Sequence, residues 1–106
     1  MKRGPVHLVQ ILLPLFDNDG QALPVDLYQQ VRRELASRYG GLTAFTRAPA
    51  EGQWNDQGET RRDDIVVFEV MVEQIEAGWW QAYRRMLESM FRQEEIVIRA
   101  QRIELL

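Results

Sequence analysis

Glu69 and Arg99 are the residues in this sequence best suited to do chemistry. Each interrupts a strand-like run that is otherwise rich in Val and Ile, from Ile65 to Val72 and from Glu95 to Ile103. Buried polar groups need partners. A carboxylate and a guanidinium on one apolar surface therefore either pair with each other or hold something else. Gln10 and Gln101 join them as polar breaks in apolar runs, and Arg47 is a second cation within reach of Glu69. The first option is structural: Glu69 pairs with Arg99 or Arg47 and fixes the register of a dimer. The second is a cavity in which Gln10, Glu69, Arg99, Gln101, Arg47 and the neighbouring Phe45 orient a small ligand. In an enzyme, Glu69 would be the acid/base and Arg99 or Arg47 the anion clamp.

Other chemistries are poorly supplied. The 106 residues contain no cysteine and one histidine, His7. That excludes disulfides, thiolate metal sites, a cysteine nucleophile and a zinc site built from imidazoles of one chain. Asp17-Asn18-Asp19-Gly20 is too short for a calcium loop and reads as a turn. His7 starts a strand, and no acid or nucleophile has a spacing that ties it to a general-base role. Phosphate loops, Ser-centred elbows and kinase-like sets are missing, and Gly40-Gly41 follows a helix, the reverse of a phosphate loop. No cofactor is implied.

The polar groups need elements to position them. Val6 to Leu13 reads as a strand ended by Pro14 and the Asp-Asn-Asp-Gly turn. Pro24 and Asp26 open a helix whose stripe is Leu27 or Tyr28, Val31, Leu35 and Tyr39, and Gly40-Gly41 stops it. Leu42 to Arg47 is a second strand. From Ala48 to Asp64 the chain is polar, with a bulge expected at Pro49 and Gly52 and a hairpin tip at Trp54 to Glu59. Ile65 to Val72 is the strongest strand. A second helix is expected over Gln74 to Phe91, its stripe Trp79 or Trp80, Tyr83, Met86 or Leu87, and Met90. Glu95 to Ile103 is the last strand.

The order β-α-β-β-α-β predicts an α+β domain of the ferredoxin-like split β-α-β type, spanning residues 1–106. Right-handed crossovers give a four-stranded antiparallel sheet, order 4-1-3-2, with both helices on one face. Successive strand residues point to opposite faces. Val66, Phe68, Val70 and Val72 should lie under the helices with Val9, Ile11 and Leu13. The other face still carries Val6, Leu8, Leu12, Ile65, Val67, Met71, Val97 and Ile103. That is more apolar surface than a soluble monomer usually leaves open. A homodimer packed sheet against sheet is the expected cover, with Trp54 as a candidate anchor over the partner.

Apolar residues make up 45% and charged residues 27% of the chain, an ordinary globular composition. Thirteen Lys and Arg against sixteen Asp and Glu give a net charge of −3. Each arginine pair, Arg32-Arg33, Arg61-Arg62 and Arg84-Arg85, has acids close by, so nucleic acid and anionic membranes are not expected partners. Lys2 and Arg3 precede an apolar stretch, but His7, Gln10 and Pro14 interrupt it and no small-residue cleavage site follows. No run reaches the roughly 20 apolar residues that span a bilayer. A cytoplasmic location is expected.

The architecture and the two-sided apolar sheet resemble the dimeric α+β barrel superfamily. Gly41-Leu42-Thr43, Gly52-Gln53-Trp54, Gly58-Glu59 and the strand Ile65 to Val70 resemble a motif of small bacterial proteins to which no activity is attached. The motif covers roughly a third of the chain and is moderately specific. In the superfamily the cavity between sheets often holds a small organic molecule, and some members are cofactor-independent monooxygenases or isomerases. The uncovered face leaves three readings. The first is a homodimeric small-molecule binding or regulatory module with the polar residues of that face as its site. The alternatives are a small cofactor-independent enzyme in the same cavity, or an interaction protein that docks another subunit on the open sheet face. No catalytic set of those enzymes is evident in this chain.

Overall fold

The computed structural model describes residues 5–40, 43–47 and 65–106, the segment 43–47 by its backbone alone. The expected bulge at Pro49 and Gly52, the hairpin tip and Trp54 lie outside the described residues. The elements are β1 (Pro5–Pro14), α1 (Val25–Tyr39), β2 (Thr43–Arg47), β3 (Ile65–Val72), α2 (Ala77–Met90) and β4 (Val97–Glu104). The class is α+β.

The four-stranded antiparallel sheet of order 4-1-3-2 expected from the sequence needs correcting in the extent of its strands, not in their order. The platform that carries the core is three-stranded and antiparallel, β3-β1-β4, with β1 paired along its length to both neighbours. β2 is a five-residue edge strand bonded to β3 alone, in the order β2-β3-β1-β4. The reason is length. The run between the helix stop at Gly40 and the polar tract after Arg47 offers too few residues to match the ten of β1.

Period-two alternation decides what each face of the platform does. Val9, Ile11 and Leu13 of β1 and Val66, Phe68, Val70 and Val72 of β3 are all buried. They form one cluster with Val31 and Leu35 of α1, with Trp80, Tyr83 and Leu87 of α2, and with Phe91 and Ile96. Both helices thus cover the same sheet face. Burying each such side chain stabilises the fold by roughly 1.5–3 kcal/mol.

α1 starts after Pro24, with Asp26 in its first turn, and stops at Gly40, whose φ of 75° only glycine adopts cheaply. α2 begins at Ala77, not at Gln74. Residues 73–76 are exposed and Glu76 gives no side-chain cap, so nothing holds an earlier turn. Its end has no glycine either. Arg92 takes the left-handed position at φ 56°, and the Gln93 N–H bonds back to the Glu88 carbonyl at 2.8 Å. β4 starts at Val97, not Glu95, because the Ile96 N–H donates to Glu88 Oε2 at 3.0 Å and is turned toward α2.

Two tyrosines pin the helices. The Tyr28 hydroxyl donates to the Pro14 carbonyl, and that of Tyr83 donates to Glu34 Oε1 at 3.0 Å. Burial pushes the Tyr28 hydroxyl up to about 12. Burial, aided by the Glu34 carboxylate, pushes Tyr83 up as well. The fold therefore favours both neutral phenols. That stabilisation is complete below the unfolded value of about 10 and is lost as pH rises through the folded values.

Two measurements follow. The urea midpoint should be level up to about pH 10 and fall between about pH 10 and 12, and Tyr83→Phe should shrink that fall. Phe91 is fully buried and lies edge-on to Tyr28, with centroids 5.3 Å apart. Phe91→Ala should cost about 3–5 kcal/mol in urea unfolding. A cost below about 1 kcal/mol would place the end of α2 outside the core.

Candidate functional site

The face turned away from the helices is built in rows set by strand register. Leu12 of β1 sits between Val67 of β3 and Val97 of β4; two residues along, Gln10 sits between Glu69 and Arg99; two further, Leu8 sits between Met71 and Gln101. Val6, opposite Ile103, completes the face. Thr43 and Phe45 of β2 occupy register positions opposite Glu69 and Val67, and Arg47 lies opposite Ile65.

The middle row is a polar strip across an apolar floor. Gln10 Nε2 donates to Glu69 Oε2 at 2.6 Å, and Arg99 Nε donates to Gln10 Oε1 at 2.8 Å. The sequence suggested a pair between Glu69 and Arg99 or Arg47. Within one chain Glu69 and Arg99 are joined by a relay and not directly, because β3 and β4 are not neighbours and β1 keeps them two strand spacings apart, roughly 9–10 Å. Gln10 spans that gap with one amide, donating on one side and accepting on the other. This leaves free ends. Among the described residues, neither the second Glu69 oxygen nor the terminal guanidinium nitrogens of Arg99 have a partner. Gln101 stands one row away, exposed, and does not join the relay. The side chains of Phe45 and Arg47, and all of Trp54, lie outside what is described.

The floor around the strip is partly covered. Val67, placed by the sequence on the open face, is 0% exposed and yet stands outside the helix-side cluster. Within one chain, then, the face is already closed at that corner. The rest is open: Met71 is 55% and Val97 46% exposed, and Val6, Leu8, Leu12 and Ile103 are half-buried. A side chain with a free charge, standing on an apolar floor and steered by an amide, can orient a polar group of a ligand or of a second protein surface.

Other chemistry-bearing residues gather elsewhere. His7 faces the helix side of β1, its Nδ1 3.3 Å from the Glu73 carbonyl oxygen, and among the described residues it makes no side-chain bond to an acid or nucleophile. No group of three or more His, Cys, Asp or Glu able to hold a metal occurs among them. The sequence reading did not anticipate an aromatic cluster between the helices. Trp79 stacks on Tyr83 at 4.8 Å and Trp80 on Tyr39 at 5.7 Å. The four-residue spacing of Trp79 and Tyr83 on α2 was the available signal. A groove of about 530 Å³ beside it is lined by Arg33, Glu34, Ser37, Arg38 and Trp79. It is already served by its own side chains: the Arg38 guanidinium lies 4.1 Å from the Trp79 ring centre and bonds Glu76 at 2.7 Å. No helix among the described residues is long and apolar enough to cross a membrane.

The fold and the strip define an α+β protein with one helix-covered sheet face and one open face that carries a polar relay. No protein-family model matches the chain, and no curated protein matches it. Among solved structures the chain is similar to one described as a phage SAM lyase in complex with S-methyl-5'-thioadenosine. The TM-score is 0.58 and the identity 14%, over 94% of this chain and 88% of that one. At that identity the likeness is one of fold. That neighbour is an enzyme that holds a small molecule.

The relay makes Gln10 and Glu69 energetically coupled. A double-mutant cycle with Gln10→Leu and Glu69→Leu should return a coupling of about 0.5–1.5 kcal/mol in unfolding free energy. A value near zero would mean that the amide does not hold the carboxylate in solution.

Proposed function

We propose that the chain is a homodimeric small-molecule binding module whose site is the open sheet face, with Gln10, Glu69 and Arg99 as its polar recognition groups. The observation that carries this reading is the relay itself: one amide joins a carboxylate and a guanidinium in the middle of an apolar floor, and among the described residues each charged group keeps a free end. A floor of Leu8, Leu12, Met71 and Val97 suits the apolar body of a ligand, and the strip suits its polar group. A second copy closes the site, because one sheet face cannot enclose a ligand alone. The solved neighbour of the same fold supports the reading, since it holds a small molecule with an apolar thioether and a polar nucleoside.

Turnover in the same place is the second reading, favoured by one observation: that neighbour is a lyase. It would use the free Glu69 oxygen against a reacting atom. Binding without turnover would leave Glu69 dispensable for chemistry while Gln10 still matters for affinity.

Native mass spectrometry of the purified full chain tests the proposal. The expected spectrum shows a dimer with added small-molecule mass, and Gln10→Leu loses that mass while remaining folded. In parallel, S-methyl-5'-thioadenosine serves as a first probe in a thermal shift assay. A monomer, or a dimer that carries protein mass alone and gives no shift with the probe, would contradict the proposal.

A further inference from the structure

We infer that the second copy sits on this face about a two-fold axis that runs along β1, so that Glu69 of each chain meets the partner's Arg99. The inference rests on the dimer of the preceding reading and describes that dimer without ligand, in which the partner's charges take the outer atoms of Glu69 and Arg99 that a ligand would otherwise occupy.

The argument is one of charge complementarity. Face-to-face packing by a two-fold axis requires that axis to lie between the two sheets, and its direction decides what faces what. The strip runs across the strands, with Glu69 on β3 and Arg99 on β4, and β1 between them carries Gln10. An axis across the strands, along the strip, would set Glu69 on the partner's Glu69 and Arg99 on the partner's Arg99. Like charges at close range oppose binding. An axis at about 45° would press each charge onto the leucines of the partner's β1 and leave it buried without a partner, which is costly. An axis along β1 exchanges the two flanks. Glu69 then faces the partner's Arg99 twice over, and Gln10 faces the partner's Gln10 on the axis.

The reach is right. Packed sheets stand about 10 Å apart, a gap that a glutamate and an arginine extended toward each other can cross. Both groups stand only one strand, roughly 5 Å, from the axis. The usual rotation of about 30° between aligned sheets therefore moves them little. The atoms needed are the free ones. The relay uses Arg99 Nε and Glu69 Oε2 within the chain, which leaves the terminal guanidinium nitrogens and the other carboxylate oxygen to cross the interface. The Leu8 row stays in step, since an axis along β1 keeps each row at its own height, while the Leu12 row is already covered at Val67 within the chain. Leu8 meets the partner's Leu8, and Met71, 55% exposed in one chain, meets the flank of the partner that carries Gln101.

Charge reversal tests the axis. Sedimentation velocity at one fixed concentration would compare the wild-type chain, E69R, R99E, their equimolar mixture and the double variant E69R/R99E. The wild type should be a dimer. Each single variant places two like pairs in the interface and should weaken its own dimer by roughly tenfold or more. The mixture should recover wild-type affinity, because both cross-pairs become opposite in sign. The double variant should recover it too, since the Gln10 amide can turn over to serve the reversed strip. Circular dichroism confirms folding of each chain. If the single variants dimerise as tightly as wild type, or if neither the mixture nor the double variant recovers, the axis is wrong while the dimer stands. A monomeric wild type would overturn both the axis and the dimer of the proposed function.

Discussion

β1 has two apolar faces, and both helices among the described residues cover the same one. The rest of the structure depends on that mismatch. On one side Val9, Ile11 and Leu13 are sealed by α1 and α2 into a continuous core. On the other, Val6, Leu8 and Leu12 keep partial contact with solvent. A soluble protein usually makes such a face polar. Here Gln10, Glu69 and Arg99 of the middle row are tied into a single hydrogen-bonded unit, with Gln101 one row away. An apolar floor with one ordered polar strip is poorly suited to bulk water and well suited to a shaped partner.

The relay explains why a charged pair can stand there. A lone carboxylate on an apolar floor would lose hydration as soon as anything covered it, a loss that opposite charge offsets only when geometry is good. Gln10 supplies part of that geometry in advance. It fixes one oxygen of Glu69 and one nitrogen of Arg99, so less side-chain freedom remains to be lost when the outer atoms find partners. The strip thus acts as a preorganised recognition element whether a ligand or a second copy completes it.

Much of this was legible in the sequence because strands announce their faces by alternation. The set Val66, Phe68, Val70 and Val72 predicted a buried face, and all four residues are buried. The same alternation put Gln10, Glu69 and Arg99 together on the other face. It could not show that Gln10 stands between the two charges and joins them. That depends on register, which side-chain pattern alone leaves free until three strands are paired. Nor could alternation show that Val67 is covered within the chain, since alternation says which face a residue is on and not what packs against it. The helix boundaries were blurred for local reasons: α2 lacks a side-chain cap at its start, and an arginine, not a glycine, takes the left-handed position at its end. The aromatic cluster between the helices went unread because Trp79, Trp80 and Tyr83 looked like ordinary stripe residues, while Tyr39 and Arg38 join them from the other helix.

The central claim is that the open sheet face is covered in the working protein, and two methionines of the same chain report on it directly. Met71 lies on that face and is 55% exposed in a single chain, whereas Met86 lies on α2 and is 37% exposed. Methyl NMR with a soluble paramagnetic agent would rank the two. If the face is covered, the Met71 methyl should be protected from broadening and the Met86 methyl broadened, the reverse of the single-chain order. Broadening of Met71 at least as strong as that of Met86 would mean that the face is open to solvent and would contradict the account.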